Sequence, residues 1–594
     1  MKAMRSCIAA SKHMTASSLD RLLSQLEEAK RDFSPRGRAR IEKLLTQLAR
    51  KKFPDADSLI RFHEALLFLR AYPQSPELLQ IAEEILSSFA ERVEQLCSTS
   101  DESASADLAS FDYIEYSGIA GTAIYGTFSY AIVCWLVEKY PERVSIDWAS
   151  YEKKERMGAT WPRFLPLLEE ESLVEANIPY HSWISAATGQ GEREISFLIR
   201  RFERLPVSHR ERSELYDSLE LRVRWELGDS PVSRTHLKRR VRKIFYHEGP
   251  LIPRKDVSLR GEFGSPPFAL KKLSRRQGET ILDMVRATTT VRYRELYGIT
   301  NGDPESVMEA IIGRGVTVFL WGLPPERRLP LRAYTAGFTL KNGVPINYIE
   351  GISLFERVEV GFNTFYTFRE GESAWVYARV LKLLNQALGV TCVSIDPYQL
   401  GFNNEEAIES GAFWFYRKLG FRPVRPEIAK LTEAEERKLA SNKEYRTPVG
   451  TLKRLSKGHM VFEAPGTIRG DWDRFQTRNP ALTVQRRMAQ EFGGDSSKIR
   501  TASMAEVARA IDLKVDKWKE SEKRAFENLS LVLALIPDID SWTNTEKSSL
   551  ARIIRAKAGA DESLYLRLLQ KHARLRDSML KLGSHDPPSF GKTP

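Results

Sequence analysis

The first hundred residues carry the spacing of apolar side chains that is typical of amphipathic helices. Leu19, Leu22 and Leu26 recur at positions i, i+3 and i+7, and apolar residues keep a three- or four-residue spacing from Leu59 to Leu69. Prolines lie between these stretches, where they interrupt helix interiors but suit helix starts. The pattern predicts a small helical domain over residues 17–97.

After residue 315 the pattern changes to runs of β-branched and aromatic residues that have the length of strands. Asn342 and Gly343 separate two of these runs and supply the two residues of positive φ that a tight hairpin turn requires. An antiparallel meander is therefore predicted. Its expected strands are GVTVFLWGL (315–323), LRAYTAGFTL (331–340), VPINYIEGISL (344–354) and VEVGFNTFYTF (358–368).

Helices and strands alternate after this meander. Residues 375–388 place apolar side chains on one helical face, and Gly389 follows where a helix end favours glycine. The strand TCVSID comes next, and then a helix over 405–419 that Gly420 closes. Because parallel strands need crossover connections, this alternation after an antiparallel meander predicts a mixed sheet.

These patterns predict an α+β multidomain protein, in which a mixed β-sheet is flanked by helices and the N-terminal and C-terminal regions are all-helical. The stretch STSDESASADLAS is rich in Ser and acidic residues and indicates a linker. The expected order is a disordered N-terminus (1–16), a helical domain (17–97), a Ser/acidic linker (98–111), a mostly helical middle region (112–264), an α/β domain (265–465) and a helical C-terminal extension with a disordered tail (466–594).

One segment is long enough to cross a bilayer. Residues 116–137 run without a charge. Their glycines, serines and threonines dilute the hydrophobicity, however, so a buried helix pair is expected rather than a membrane span.

The composition is that of an ordinary globular protein. Of the 594 residues 42% are hydrophobic, and 90 Lys plus Arg stand against 78 Asp plus Glu. Collagen-like, mucin-like and wholly disordered chains are thereby excluded. The four cysteines lie far apart and form no cluster with histidines at ligand spacing, so neither a zinc site nor a disulfide framework is indicated. Together with the lack of an apolar signal-peptide stretch, this favours a cytoplasmic protein.

The strongest basic cluster has six Lys or Arg residues between Arg234 and Lys243. It could contact nucleic acid or an acidic partner, with the aromatic residues that follow available for stacking. Alternatively it is the solvated face of a helix whose Leu237, Val241 and Ile244 point inward. Charge alone does not decide between the two interpretations.

Two segments of the predicted α/β domain bring a family resemblance. REGESAWVYARVLKLLNQALGV (369–390) and SGAFWFYRKLGFRPV (410–424) resemble the GNAT acyltransferase superfamily, over about residues 265–465. The helix of that family typically reads Ala-x-x-x-Tyr-x-Lys-x-Gly-Phe. Here those places hold Ala412, Tyr416, Lys418, Gly420 and Phe421.

The resemblance implies transfer of an acyl group from acetyl-CoA or another acyl-CoA to an amine, which attacks the thioester directly. In the family, the strand before the coenzyme-binding turn separates from the next strand and admits the acyl-pantetheine arm. Gly361 could mark a bulge that permits this separation. Tyr416 stands where the family often places the acid that protonates the departing thiolate, and a phenol suits that role.

A strand-to-helix turn is the candidate site for the coenzyme's pyrophosphate, because the free N–H groups and the dipole of a helix start attract phosphate. The family pattern there is Gln/Arg-x-x-Gly-x-Gly/Ala, but here an acidic residue replaces the middle glycine. A carboxylate beside a pyrophosphate is unfavourable unless it turns away. The alternative is a plain connection with an acidic helix start. The candidate residues are Arg369, Gly371, Glu372, Ser373 and Ala374.

No motif identifies the base that accepts the proton of the amine. Glu350, Glu356 and Glu359 lie on or next to the meander strands, and Glu359 is taken as the candidate. Two other functions remain open: a non-catalytic scaffold or nucleic-acid-binding protein on the same fold, and a transferase that uses aminoacyl-tRNA as its donor.

Overall fold

The computed structural model describes residues 18–98, 111, 114–158, 160–164, 179–467 and 470–584, and the chain divides into two compact units. The predicted disordered N-terminus, nearly all of the linker and the C-terminal tail lie outside the described residues. The first unit consists of the described parts of Met1–Pro250, with Asp283–Leu296 and Asn342–Val344. The second consists of Leu251–Leu282, Tyr297–Lys341 and the described parts of Pro345–Pro594.

The first unit begins with helices where the apolar spacing predicts them. Their starts have clear local causes: Ser34 and Ser75 each cap a helix that opens with proline, and the Asp55 carboxylate accepts a hydrogen bond from the Ser58 N–H. The helices are α1 (Ser18–Ala29), α2 (Pro35–Ala49), α3 (Ala56–Ala71), α4 (Pro76–Ser87) and α5 (Phe89–Ser98).

A three-stranded antiparallel sheet lies in the rest of the first unit, in the order β1-β3-β2. The sequence predicts a mostly helical middle region over residues 112–264, and its apolar pattern does not reveal these strands. The strands are β1 (Ala123–Gly126), β2 (Val144–Ile146) and β3 (Val223–Glu226). The accompanying helices are α6 (Tyr130–Lys139), α7 (Lys154–Gly158), α8 (Tyr180–Ala187), α9 (Glu194–Glu203) and α10 (His209–Ser218).

The uncharged segment 116–137 therefore does not form the predicted pair of helices. Its first half contains strand β1, and only its second half enters helix α6. Gly118 and Gly121 have φ of 86° and 88°, a conformation that ends regular helix before the strand begins. Among the helices of the described residues, none combines the length and the apolar character needed to cross a bilayer.

The second unit is built on a mixed sheet, as the sequence predicted, and the sheet has nine strands. Its order is β11-β12-β10-β9-β8-β7-β6-β5-β4, and β9 and β10 pair in parallel. The strands are β4 (Leu270–Lys272), β5 (Met308–Gly313), β6 (Val316–Trp321), β7 (Ala333–Lys341), β8 (Val344–Leu354), β9 (Arg357–Thr364), β10 (Cys392–Ile395), β11 (Arg422–Pro423) and β12 (Met460–Glu463).

The predicted tight turn between β7 and β8 is confirmed. Asn342 and Gly343 have φ of 50° and 83°, and the two strands that they join are hydrogen-bonded neighbours in the sheet. Close packing adds a second reason for glycine, because a Cβ on Gly343 would lie 2.1 Å from the carbonyl oxygen of Arg239. A larger residue cannot replace it without movement of the backbone.

The helix predicted over 375–388 is also confirmed, and Gly389 ends it with φ of 72°. The single helix predicted over 405–419 is wrong, because Gly411 adopts φ of 67° and divides it. The helices from residue 251 to the sheet's end are α11 (Leu259–Gly264), α12 (Arg275–Thr290), α13 (Tyr297–Thr300), α14 (Ser373–Leu388), α15 (Pro397–Leu400), α16 (Glu405–Glu409), α17 (Ala412–Lys418), α18 (Pro426–Ser441) and α19 (Val449–Leu455).

The C-terminal region is helical, as its pattern predicted. It packs an apolar core around buried residues such as Phe526, Ile554 and Leu566. Its helices are α20 (Arg478–Phe492), α21 (Ser496–Ala510), α22 (Glu520–Leu533), α23 (Asn544–Lys557), α24 (Glu562–Gln570) and α25 (Ala573–Ser584).

The basic cluster that follows β3 is not a helix face. Residues 237–247 have no helical turn, so the prediction that Leu237, Val241 and Ile244 line the inner face of a helix is wrong. Arg234 is buried, and its guanidinium lies 2.5 Å from the Glu64 carboxylate. Arg234, the first cation of the cluster, is thus part of the core of the first unit. Its buried guanidinium is paired with Glu64, because a buried charge needs a charged partner.

His63 occupies the same buried network. Its Nε2 lies 3.0 Å from the Thr235 hydroxyl and its Nδ1 lies 3.1 Å from Glu64. Burial lowers the pKa of His63 to about 4, although the Glu64 carboxylate acts in the opposite direction. The imidazole is therefore neutral in the folded protein at pH 6.

This burial predicts acid sensitivity of the first unit. Below its ordinary pKa the unfolded chain protonates His63 while the folded chain does not, so stability falls as the pH drops from about 6.5 to about 4. We expect a loss of roughly 3 kcal/mol over that window, measured by urea denaturation. A His63→Gln variant should flatten this dependence, whereas His181→Gln, at an exposed position, should keep it. Equal pH profiles for wild type and His63→Gln would contradict the assignment.

Candidate functional site

A fork between two parallel strands is the main opening in the sheet. β9 and β10 pair over three residues only, from Cys392 opposite Arg357 to Ser394 opposite Glu359. β10 then ends, because Asp396 leaves the sheet and caps α15 through a 2.8 Å bond from the Tyr398 N–H. β9 continues to its last residue with β8 as its neighbour on the other side. The strands consequently part at their carboxyl ends.

The predicted bulge at Gly361 is wrong. The register between β8 and β9 is unbroken, and Gly361 lies opposite Glu350 within it. The strands part because β10 is short, and no extra residue in β9 is needed. An added Cβ at Gly361 would make ordinary van der Waals contact, with the Gln399 amide nitrogen as its nearest neighbour at 3.6 Å.

A cavity of about 240 Å³ lies at this fork, and we call it the fork cavity. Three of the predicted site residues line it: Arg369, Ser373 and Tyr416. The other predicted site residues, Glu359, Gly371, Glu372 and Ala374, are not among its lining residues. The rest of the wall comes from the end of β9, from α15 to α17 and from their connections: Phe362, Asn363, Thr364, Gln399, Asn404, Glu406, Ala407, Ser410, Ala412 and Phe415.

Arg369 brings a positive charge to the cavity. Its guanidinium forms an ion pair with Glu406, its Nε donates to the Thr364 carbonyl over 3.4 Å, and it lies 5.5 Å from the centre of the Tyr366 ring. These contacts hold the side chain at the fork. An anion that enters the cavity would compete with Glu406 for the guanidinium.

The start of α14 supplies N–H donors beside Arg369. The first-turn N–H groups of Ser373, Ala374 and Trp375 have no acceptor within the helix, by the geometry of any α-helix. The residue before them, Glu372, makes no side-chain cap. The helix therefore presents its positive dipole end without an intrinsic anion.

The Glu372 carboxylate turns into the interior and does not reach the fork cavity. Its side chain is 1% exposed, 2.6 Å from an Arg314 Nη and 3.5 Å from the Lys341 Nζ. It also accepts a 3.1 Å hydrogen bond from the Ile252 N–H. This placement differs from the prediction that Glu372 contacts a cofactor. The reason is electrostatic, because the partly buried Arg314 and the buried Lys341 hold the carboxylate away from the helix start.

Lys341 shows how strongly this cluster is desolvated. Burial lowers the pKa of Lys341 to about 7, although the Glu372 carboxylate acts to raise it. Lys341 also donates to the Arg314 carbonyl. The cluster thus joins the end of β7, the turn after β5 and the start of α14.

Tyr416 lies on α17 with its ring in an aromatic group. The ring centroids of Tyr377, Phe421 and Phe415 are 5.7, 5.7 and 5.3 Å away. The side chain is 4% exposed, and the described residues offer its hydroxyl no hydrogen-bond partner. Burial raises the pKa of Tyr416, which keeps the phenol protonated.

Glu359 lies at the apex of the fork beside a histidine that sequence reasoning missed. The Nε2 of His459 is 4.0 Å from Glu359 and 3.5 Å from Asp396. A hydrogen bond with His459 lowers the pKa of Asp396. No local signal marks His459, because only the pairing of β12 with β10 brings it here. The other two candidate bases are engaged elsewhere: Glu350 accepts from the Tyr334 hydroxyl, and Glu356 accepts from Trp472 and Arg576.

The same three side chains have the composition of a metal-ligand set. One ligand atom from each of Glu359, Asp396 and His459 lies within 4.8 Å of the others. An Arg357 Nη is 3.7 Å from Glu359, however, and places a positive charge at the carboxylate. Arg357 thus already supplies a cation beside one of the two carboxylates.

No model of a protein family, no curated protein and no solved structure matches the chain. The resemblance of residues 369–424 to acyltransferases accordingly stays a prediction from the residues. The fork cavity and the groups around it are the features from which a function can be inferred.

The Glu372 cluster predicts a specific loss of stability. A Glu372→Gln substitution removes the buried carboxylate that lies beside the buried Lys341 and the partly buried Arg314, so we expect the free energy of unfolding to fall by about 3 kcal/mol. Glu370→Gln changes the neighbouring exposed carboxylate and should cost less than about 1 kcal/mol. Urea denaturation of both variants measures the difference. Equal stability of the two would show that Glu372 is not held by Arg314 and Lys341.

Proposed function

We propose that the protein is an acyl-CoA-dependent N-acyltransferase whose donor site is the fork cavity. One observation carries this proposal: the cavity where β9 and β10 part is lined by Arg369, Ser373 and Tyr416 together. The sequence resemblance implies that Arg369 and Ser373 bind the coenzyme and that Tyr416 is the acid. The acceptor is an amine.

Recognition of the donor would use the start of α14. Its first-turn N–H groups and the Arg369 guanidinium suit the two negative phosphates of a coenzyme A pyrophosphate. An exposed Glu372 carboxylate at this turn would repel a pyrophosphate. The carboxylate is instead buried beside Arg314 and Lys341. The acyl-pantetheine arm would then pass between the separated strands.

The reaction in this proposal is direct transfer. The neutral amine attacks the thioester carbonyl, a C–N bond forms, the C–S bond breaks and the thiolate leaves. N–H groups on the free edge of β9 would stabilise the oxyanion, by about 3 kcal/mol for one well-placed donor. The Tyr416 phenol would protonate the thiolate at the inner wall of the cavity.

Glu359 would accept the proton of the amine, with His459 and Asp396 as its neighbours. The group lies at the apex of the fork, and its members are partly exposed. The His459 Nε2 lies 4.0 Å from Glu359, so the imidazole would have to move closer to this carboxylate before it could relay the proton toward solvent. This assignment adds His459 to the residues predicted from the sequence.

Binding of acetyl-CoA tests the donor site directly. Calorimetric titration should show micromolar affinity in the wild type and in Ser373→Ala. Ser373→Asp places a carboxylate at the helix start, where it repels pyrophosphate, so affinity should fall by at least about tenfold. The same substitution favours the helix dipole, so the melting temperature should not decrease. Equal affinity of Ser373→Ala and Ser373→Asp for acetyl-CoA would show that the pyrophosphate does not bind at this helix start.

The rate at which the coenzyme A thiol is released tests whether Tyr416 acts as the general acid. With saturating acetyl-CoA and a panel of polyamine, amino-sugar and peptide acceptors, Tyr416→Phe should lower turnover by about a hundredfold and leave acetyl-CoA affinity unchanged. Tyr377→Phe is the matched control, because its buried hydroxyl has no hydrogen bond and does not line the cavity. Normal turnover of Tyr416→Phe would show that Tyr416 is not the general acid.

A further inference from the structure

A second concave surface lies in the second unit, and we call it the basic groove. Its volume is about 720 Å³, larger than that of the fork cavity. Residues 257–260, at the start of α11, form one side, and residues 417–420, at the end of α17, form another. Strands β11 and β12 supply the floor through Arg422, Val461 and Phe462. None of its lining residues lines the fork cavity.

Two of the cations in the groove are neutralised by carboxylates. Arg422 has contacts of 2.8 Å with both Glu463 and Asp473. Arg417 has a contact of 2.7 Å with Glu436. These guanidinium groups are held by the fold, and their charge is already balanced.

Arg260 and Lys418 line the same groove and are exposed. No carboxylate lies within ion-pair distance of either side chain in the part of the chain that the structure describes. Within one groove, two cations are therefore paired and two are not. The unpaired ones are free to contact a ligand.

Further positive charge surrounds Lys418. Burial lowers the pKa of Lys418, and the charges of Arg254 and Arg446 lower it further. Both arginines likewise have no ion-pair partner among the described residues. Like charges that repel one another at short range create a positive potential, which a bound anion would relieve.

The shape of the groove sets the size of that anion. Its floor and sides include the apolar Leu419, Val461 and Phe462 beside the cations. Gly420 has φ of 105°, and an added Cβ would approach only the Phe462 ring, at 3.9 Å. Small-ligand sites have volumes of about 300–1,000 Å³ and combine apolar walls with a few polar anchors.

We infer that the basic groove binds a phosphorylated small molecule of about nucleotide size, with Arg260 and Lys418 as its phosphate ligands. The apolar wall would contact the remainder of the molecule. A small molecule is favoured over nucleic acid, because the unpaired cations face one concave groove whose described lining residues include no exposed aromatic side chain for base stacking. This site is independent of the proposed acyl transfer.

Titration of the full chain with inorganic pyrophosphate tests the site. The wild type should bind it saturably, and Arg260→Gln with Lys418→Gln should weaken binding by about tenfold for each cation removed. The matched control is Lys514→Gln with Lys517→Gln, which removes two exposed cations outside the groove and should leave the affinity unchanged. Ser373→Asp should also retain binding, because it alters only the fork cavity.

Four results would overturn the inference. Absence of pyrophosphate binding in the wild type would be one, and unchanged affinity in the Arg260 and Lys418 double variant would be another. Loss of binding in Ser373→Asp would show that pyrophosphate binds at the start of α14 and not in the basic groove. Binding of a short single-stranded oligoribonucleotide through Arg260 and Lys418, with no binding of pyrophosphate, would make the groove a nucleic-acid surface.

Discussion

The short length of β10 is the constraint on which the candidate site depends. Three residue pairs join β9 to β10, and then Asp396 and Pro397 start a helix, because an aspartate cap and a proline at the first turn favour helix over strand. β9 meanwhile continues beside β8 to Thr364. The opening is thus a property of the backbone. Side chains at its rim decide what it can bind, whereas the gap itself follows from where one strand ends.

A buried charge cluster makes the adjoining helix start usable. Glu372 lies one residue before α14, where an exposed carboxylate would occupy the site that an anionic ligand needs. Arg314 and Lys341 instead hold it in the interior. The lowered pKa of Lys341 shows that desolvation of this cation is only partly offset by the carboxylate. The contacts with Arg314 and Lys341 therefore keep the negative charge of Glu372 away from the start of α14.

One short helix connects the two candidate ligand surfaces of the second unit. Ala412 and Tyr416 of α17 line the fork cavity, and Arg417 and Lys418 line the basic groove. The helix has seven residues, and Tyr416 and Arg417 are consecutive in it, so both surfaces are lined by the same two turns. They differ in charge balance, because Arg369 at the fork has a carboxylate partner and Lys418 in the groove has none among the described residues.

Sequence alone determined the elements whose causes are local. The hairpin at Asn342 and Gly343 and the end of α14 at Gly389 follow from turn and cap chemistry within a few residues. The alternation of strands and helices likewise predicted the mixed sheet. The break at Gly411 was missed, because the apolar period continues across it and periodicity does not report a single positive φ.

Only the tertiary structure decided the charges and the neighbours of the site. The burial of Glu372, the approach of His459 to Glu359 and the unpaired state of Lys418 all depend on residues that are distant along the chain. Sheet register and helix packing bring such groups together, and neither is encoded in the spacing of nearby residues. The sequence therefore determined which chemical groups the protein carries. Packing determined which of them are neutralised and which remain available to a ligand.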